Sequence, residues 1–220
     1  MLDSLDGLPS PHFAAGCTGA IALTSGLEGL TSLRSSDIEM LLEKCQQAPC
    51  GKGEKTVVDV SVRRVMQTVE VGVQWPELPS VLQEVEQQLF PGTVLRAELD
   101  KLLIYRPGDF FKEHRDSKRY DDHVATLVAI ADCFHTGGAV VFYEDGREVA
   151  RWEGGGGSWC CWLTSSKHEI EPVLEGYRVV ATYKILAAPS ENQIFPERFA
   201  LQLSECMPAI RALLEERHFV

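Results

Sequence analysis

The chain of 220 residues has no apolar run approaching the ~20 residues that a membrane-spanning helix needs. Its first residues include Asp3 and Asp6 and lack the basic stretch and apolar core of a secretory signal, so cytoplasmic or nuclear residence is expected. Seven cysteines, at 17, 45, 50, 133, 160, 161 and 206, contain no CxxC pair. Neither a disulfide framework nor a zinc site is indicated, and reduced thiols are the default. Basic residues are scarce: 21 Lys and Arg stand against 32 Asp and Glu, a formal charge of −11. That deficit argues against a nucleic-acid partner, whose phosphates are neutralised by Lys and Arg. No internal repeat occurs. The triplet HRD at 114–116 is followed by no DFG and preceded by no glycine-rich phosphate loop, which excludes a kinase catalytic loop.

What is present is an ordinary globular composition, 45% hydrophobic and 24% charged, in a chain long enough for a substantial core. Residues 1–35 show no sustained period and read as an irregular lead-in. Ser36 and Glu39 have the form of a capping box, and Ile38, Leu41, Leu42 and Cys45 recur at helical spacing, predicting a helix to about residue 47. The β-branched run TVVDVSVRRV from Thr56 predicts a strand, and Leu78, Val81, Leu82, Val85 and Leu89 predict an amphipathic helix ended by Pro91-Gly92. From Val94 onward short strands alternate with turns. Candidates are 94–99, 101–106, 110–116, 124–131, 138–143, 147–152, 158–164, 167–173 and 177–186. The fold class expected is α+β with a predominantly β core, a sandwich or barrel. Three segments are expected: a lead-in over 1–54, a β domain with a supporting helix over 55–190, and a helical tail over 191–220 packed on the same domain. Gly154 to Gly157 read as a flexible loop that either borders a substrate entrance or simply faces solvent.

The chemistry concentrates in Lys101 to Asp116, KLLIYRPGDFFKEHRD. In an extended chain His114 and Asp116 project to one face, where an imidazole and a carboxylate can grip one metal ion. The plain alternative is a surface pair on an edge strand. A third ligand is expected downstream, and His168 in KHEIEPV is the candidate; its competitors His123 and His135 read as exposed loop histidines. Two histidines and a carboxylate form the facial triad of non-haem Fe(II) oxygenases, which leaves coordination positions open. Arg178, ten residues after His168, supplies a charge for an anionic co-substrate. In a simple hairpin His168 and Arg178 share a face only across an odd loop; a crossing between facing sheets removes that constraint. Lys112, Arg115, Lys118 and Arg119 crowd the HxD and either attract an acidic substrate segment or are solvated loop charges. Trp152, Trp159 and Trp162 read as core, with a substrate groove as the other reading.

The order LLIYRPGDFFKEHRD, GGAVVFY, KHEIEPVLEGYRVVATY resembles the Fe(II)/2-oxoglutarate-dependent dioxygenases, in the branch of prolyl 4-hydroxylase catalytic domains, over roughly residues 100–186. KTVVDVSVRR at 55–64 is similar to that branch's lead-in. The resemblance implies a double-stranded β-helix, a jelly-roll variant, with flanking N-terminal and C-terminal helices. It implies Fe(II) held by His114, Asp116 and His168, with 2-oxoglutarate held by Arg178 and contacted by Tyr105 in its Tyr-x-Pro-Gly context. The implied reaction consumes O2 and 2-oxoglutarate, releases succinate and CO2 and hydroxylates a C–H bond, with ascorbate as the reductant. A prolyl residue of a protein is the implied substrate, and another C–H substrate is the alternative. The sequence departs from the family at ATLVAIAD, which is aliphatic where some prolyl hydroxylases carry a second tyrosine. A non-catalytic metal-binding module is the rival from another class.

Overall fold

The computed structural model describes residues 12–24, 30–52, 55–118 and 120–188; the expected tail over 191–220 lies outside them. The first part of the chain is short-stranded: β1 (Phe13–Cys17), β2 (Ala22–Leu23), helix α1 (Ser35–Leu42), β3 (Gln46–Gln47), β4 (Cys50–Lys52), β5 (Lys55–Val57), β6 (Arg63–Arg64), β7 (Met66–Thr68) and β8 (Val73–Gln74). Helix α2 (Leu78–Leu89) follows, and then the β core. That core comprises β9 (Leu95–Tyr105), β10 (Phe110–His114), β11 (His123–Ile130), β12 (His135–Gly137), β13 (Val140–Glu144), β14 (Arg147–Trp152), β15 (Ser158–Leu163), β16 (Lys167–Ile170), β17 (Val173–Gly176) and β18 (Arg178–Ala187).

Strand dominates, with two helices among the described residues. Seven strands form one sheet in the order β1-β15-β11-β18-β9-β7-β3, and five form another, β14-β13-β16-β10-β6. Strand β18 is central to the first sheet, antiparallel to both β11 and β9. One face of that sheet carries Leu102, Ile104, Leu127, Val179 and Ala181, packed with Ile38 and Leu41 of α1 and Val81 and Val85 of α2. The other carries Leu103, Tyr105, Val128, Ile130, Trp162 and Val180, packed with Val140, Phe142 and Ile170 of the five-stranded sheet. The large sheet is therefore buried on both sides, which is why RVVAT and SWCCW read as unbroken apolar runs rather than alternating ones.

Several local expectations are corrected. Residues 13–17 are a strand, paired with β15, rather than part of an irregular lead-in. Helix α1 starts one residue before Ser36, and its first-turn acceptor is Asp37, not Glu39; the Asp37 carboxylate takes the Arg34 backbone N–H at 2.9 Å and the Arg34 Nε at 3.3 Å. It ends at Leu42 because Gln46 and Gln47 pair with Gln67 and Met66 in the large sheet. The run from Thr56 is no single strand: Asp59 Oδ1 accepts from the Ser61 N–H at 3.0 Å and hydroxyl at 2.6 Å, folding a turn between β5 and β6. Candidates 94–99 and 101–106 are one strand, bulged at Asp100, while 167–173 divides into β16 and β17. The glycine run is a loop with Gly155 and Gly156 facing solvent, as expected, but it is constrained at one point: a Cβ on Gly156 would lie 2.8 Å from the Asp132 Cα, so close backbone approach requires glycine there. No helix among the described residues is long and apolar enough to cross a membrane.

Candidate metal and anion site

Strand β10 is an inner strand of the small sheet, and its last residue, His114, lies directly opposite His168 of β16. Each imidazole is fixed through its Nδ1–H, which donates to a backbone carbonyl two residues earlier: Lys112 at 2.7 Å for His114 and Ser166 at 3.0 Å for His168. Both Nε2 lone pairs are thereby turned toward Asp116, which lies just beyond β10. The Nε2 atoms stand 3.7 Å (His114) and 4.0 Å (His168) from the Asp116 carboxylate oxygens, and the three ligand atoms all lie within 4.8 Å of one another. Phe111 stacks on the His114 ring with centroids 3.4 Å apart, and Trp162 flanks the His168 ring at 4.8 Å.

The protonation states suit a cation. Burial pushes His168 down to about 4, so its imidazole is neutral near neutral pH. Burial opposes ionisation of Asp116, but the two histidines and the hydrogen bonds it receives outweigh it and hold the carboxyl well below its usual range. A neutral imidazole and an ionised carboxylate are the forms in which these groups ligate. This donor set, two nitrogens and one carboxylate with a pre-oriented histidine pair of which His168 is buried and His114 partly exposed, fits an iron site.

Arg178 starts β18 and pairs with Tyr105, the last residue of β9. Its guanidinium sits 5.5 Å from the Tyr105 ring centroid, the residue is 2% exposed, and its Nε has no hydrogen-bond partner. Burial lowers its pKa, and the groups that act against this are Tyr105, Cys160 and Cys133, none of them a carboxylate. A buried guanidinium in such company is a site waiting for an anion, because an unpaired buried charge is costly. Tyr105 is 2% exposed and its hydroxyl is pushed above its ordinary range by burial. Gly138, at φ +75°, makes room: a Cβ there would stand 2.8 Å from the Arg178 Cδ.

One cavity of about 290 Å³ brings all five together: His114, Asp116, His168, Arg178 and Tyr105 line it. The chain crosses between sheets on the way from His168 to Arg178, through β17, which pairs with β12. The hairpin parity condition therefore does not apply. Two rejected histidines prove less exposed than the sequence indicates: His123 is 4% exposed at the start of β11 with Nε2 3.1 Å from the Ala125 carbonyl, and His135 sits in β12 with Nε2 3.2 Å from the Gly154 carbonyl. Neither belongs to the metal-type cluster. Sequence reasoning missed two residues that hold Asp116: the Thr126 hydroxyl donates to its Oδ2 at 2.7 Å and the Trp162 indole N–H at 3.0 Å. Trp162 is thus core and site at once.

No profile of a known protein family matches the chain, and no curated protein matches it. Solved structures similar to it in fold include two prolyl hydroxylases. One is a prolyl-4-hydroxylase of Pseudomonas putida, 18% identical with a TM-score of 0.52 over 84% of this chain and 96% of that one. The other is a prolyl hydroxylase of Trichoplax adhaerens in complex with a hypoxia inducible factor oxygen degradation domain peptide fragment, 13% identical with a TM-score of 0.51 over 77% of this chain and 84% of that one. The chain thus shares the fold of these two prolyl hydroxylases.

Proposed function

We propose that this protein is an Fe(II)- and 2-oxoglutarate-dependent dioxygenase that hydroxylates a C–H bond of its substrate. The observation that carries the reading is the joint occurrence, in one cavity, of a His-Asp-His cluster and a buried guanidinium facing no carboxylate. His114, Asp116 and His168 hold the iron, which when bound supplies the oxidising chemistry that no side chain has. Arg178 receives the distal carboxylate of 2-oxoglutarate through its planar donor pair, and the Tyr105 hydroxyl beside it donates to the same ligand. The Lys112 and Ser166 carbonyls keep each imidazole in the ligating tautomer, and Thr126 and Trp162 aim the carboxylate. The resemblance adds ascorbate as reductant and succinate and CO2 as products. It also favours a prolyl residue of a protein as substrate, and the peptide bound by the Trichoplax neighbour supports that reading.

Strand order supports a double-stranded β-helix: β9, β11, β15 and β18 lie together in one sheet, and β10, β13, β14 and β16 in the other, so the chain passes repeatedly between them. We read residues 55–190 as the dioxygenase domain, with β1 and β3 of the preceding segment adding the two edge strands of its large sheet.

The test needs no substrate. Anaerobic addition of Fe(II) and 2-oxoglutarate to the purified protein is expected to give a visible charge-transfer band that His168→Ala abolishes. Arg178→Gln should retain metal binding while weakening 2-oxoglutarate by about 10–100-fold, the worth of a charge-assisted hydrogen-bond pair. A folded protein that gives no band overturns the assignment.

A further inference from the structure

Asp100 is the extra residue of the bulge in β9: Thr182 faces Lys101 and Tyr183 faces Leu99, leaving Asp100 without a partner across the ladder. Bulges of this kind re-aim side chains, and here the result is an unequal ion cluster. Lys101 and Lys184 each place Nζ 2.8 Å from a different oxygen of Asp100, so one carboxylate serves two ammonium groups. Both lysine side chains are 19% exposed, and all three residues line the same cavity as the His-Asp-His cluster. Lys184 lies directly across from Thr126, the residue that holds Asp116. The cluster is therefore on the metal side of the cavity, six residues along β18 from Arg178, about 20 Å at strand rise. It is not the receptor for the co-substrate's distal carboxylate.

A charge count over the cavity wall gives these lysines a purpose. A divalent metal on Asp116 and 2-oxoglutarate on Arg178 neutralise one another. Glu113 is matched by Lys167, and Arg115, whose guanidinium donates to the Ser165 carbonyl, adds one more cation at the exposed rim. Asp100 matches one of its two lysines and leaves the other ammonium in excess. On the β6 side Arg63 lies 4.4 Å over Phe111, the ring stacked on His114, with its NH1 on the Pro49 carbonyl at 2.8 Å and its buried Nε unpartnered. The occupied site would thus retain positive charge on both walls, in a protein whose net charge is −11. Uncompensated charges in a half-buried cavity select a ligand of opposite sign.

We propose that the primary substrate is carboxylate-bearing, and that Lys101 and Lys184, tethered by Asp100, receive its carboxylate beside the metal. This rests on the dioxygenase reading for what happens to the substrate, but the anion site belongs to the chain's own residues. The carboxylate belongs either to a small organic acid or to an acidic side chain of a peptide, and matched probes separate the two. Each ammonium uses one donor on Asp100 and has two more to offer.

The experiment is an NMR titration of two acid and amide pairs: butyrate against butyramide, and acetyl-Pro-Asp-amide against acetyl-Pro-Asn-amide. It is run on the metal-free protein, where it reads the lysines without any metal, and on protein loaded with Mn(II) and 2-oxoglutarate. Failure to load counts against the dioxygenase reading and is seen before any probe is added. The expected result is that at least one acid binds at least tenfold more tightly than its amide. Lys184→Met should reduce that preference below threefold, and Lys184→Arg should restore it. Preference in the first pair identifies a small acid, and preference in the second alone an acidic peptide. Equal binding of acid and amide in both pairs, or an acid preference that survives Lys184→Met, overturns the proposal. A purely structural Lys184 would lower stability in Lys184→Met without changing the preference.

Discussion

Asp116 must be ionised, aimed and kept from collapsing onto either histidine, and no property of the residue itself ensures this. Its Oδ2 is fixed by two donors from the large sheet, the Thr126 hydroxyl and the Trp162 indole, while the histidines come from the small one. Groups that orient a metal ligand influence affinity nearly as much as the ligand does. Trp162→Phe keeps the ring against His168 but deletes the N–H, and is expected to weaken Fe(II) by about 10–100-fold in chelator competition. An unchanged affinity would deny the indole any orienting role. His168 carries a pH signature. Because its pKa falls from 6.5 to about 4 on burial, the unfolded chain binds more protons than the folded one between those values. Stability of the metal-free protein should therefore drop as pH falls through that window, by up to about 3 kcal/mol. Urea unfolding at a series of pH values checks this, and His168→Gln should flatten the slope. The three residues of the candidate metal site were legible because metal chemistry limits residue type and spacing. Trp162 and Thr126 were not, because SWCCWL and ATLVAI are apolar on both faces and carry no period that marks which side meets the site.

At the scale of elements, the instructive strand is β9. Up to Leu99 its odd residues, Leu95 and Ala97, pack with the helices; past Asp100 its even residues, Leu102 and Ile104, do so. The bulge changes the phase of the alternation, so a reading by period alone splits one strand into two. Helix α2 was readable because its stripe, with Val81 and Val85 buried, is amphipathic by itself. Helix α1 was not, since its end is decided by β3 pairing with a strand 20 residues away in sequence. The entry to β13 has a comparable non-local constraint at Gly138. Its φ of +75° disfavours any side chain, and a Cβ would press on the Arg178 Cδ at 2.8 Å and the Val173 Cγ2 at 3.0 Å. Gly138→Ala should cost about 1–3 kcal/mol in chemical unfolding. It should also weaken 2-oxoglutarate more than it weakens the metal, because the guanidinium moves and the His-Asp-His cluster does not. Equal losses for both ligands would mean that the substitution loosens the fold generally instead of displacing Arg178.

For the whole molecule, the site is a joint between two sheets. The histidines stand on the small sheet, Arg178 and Tyr105 on the large one, and Asp116 spans them through its hydrogen bonds. A ligand that touches the metal at one end and Arg178 at the other must then tie the sheets together, whereas the metal alone binds the small-sheet side and 2-oxoglutarate alone has only the cation. Binding to the folded state stabilises it by about 2.7 kcal/mol at a hundredfold excess over Kd. For a protein of this size each kcal/mol moves Tm by roughly 2–4 °C. Anaerobic thermal unfolding should accordingly show a modest rise with Mn(II) and little with 2-oxoglutarate by itself. The two together should raise Tm by about 5–10 °C, more than the separate shifts combined. Arg178→Gln should cut the joint shift well below that of the unaltered protein, toward that of the metal alone, since the far end of the ligand then has nothing to hold. Simply additive shifts in the unaltered protein would mean that metal and co-substrate bind without bridging, and the joint between the sheets would have to be sought in the core contacts of Phe142 and Trp162 instead.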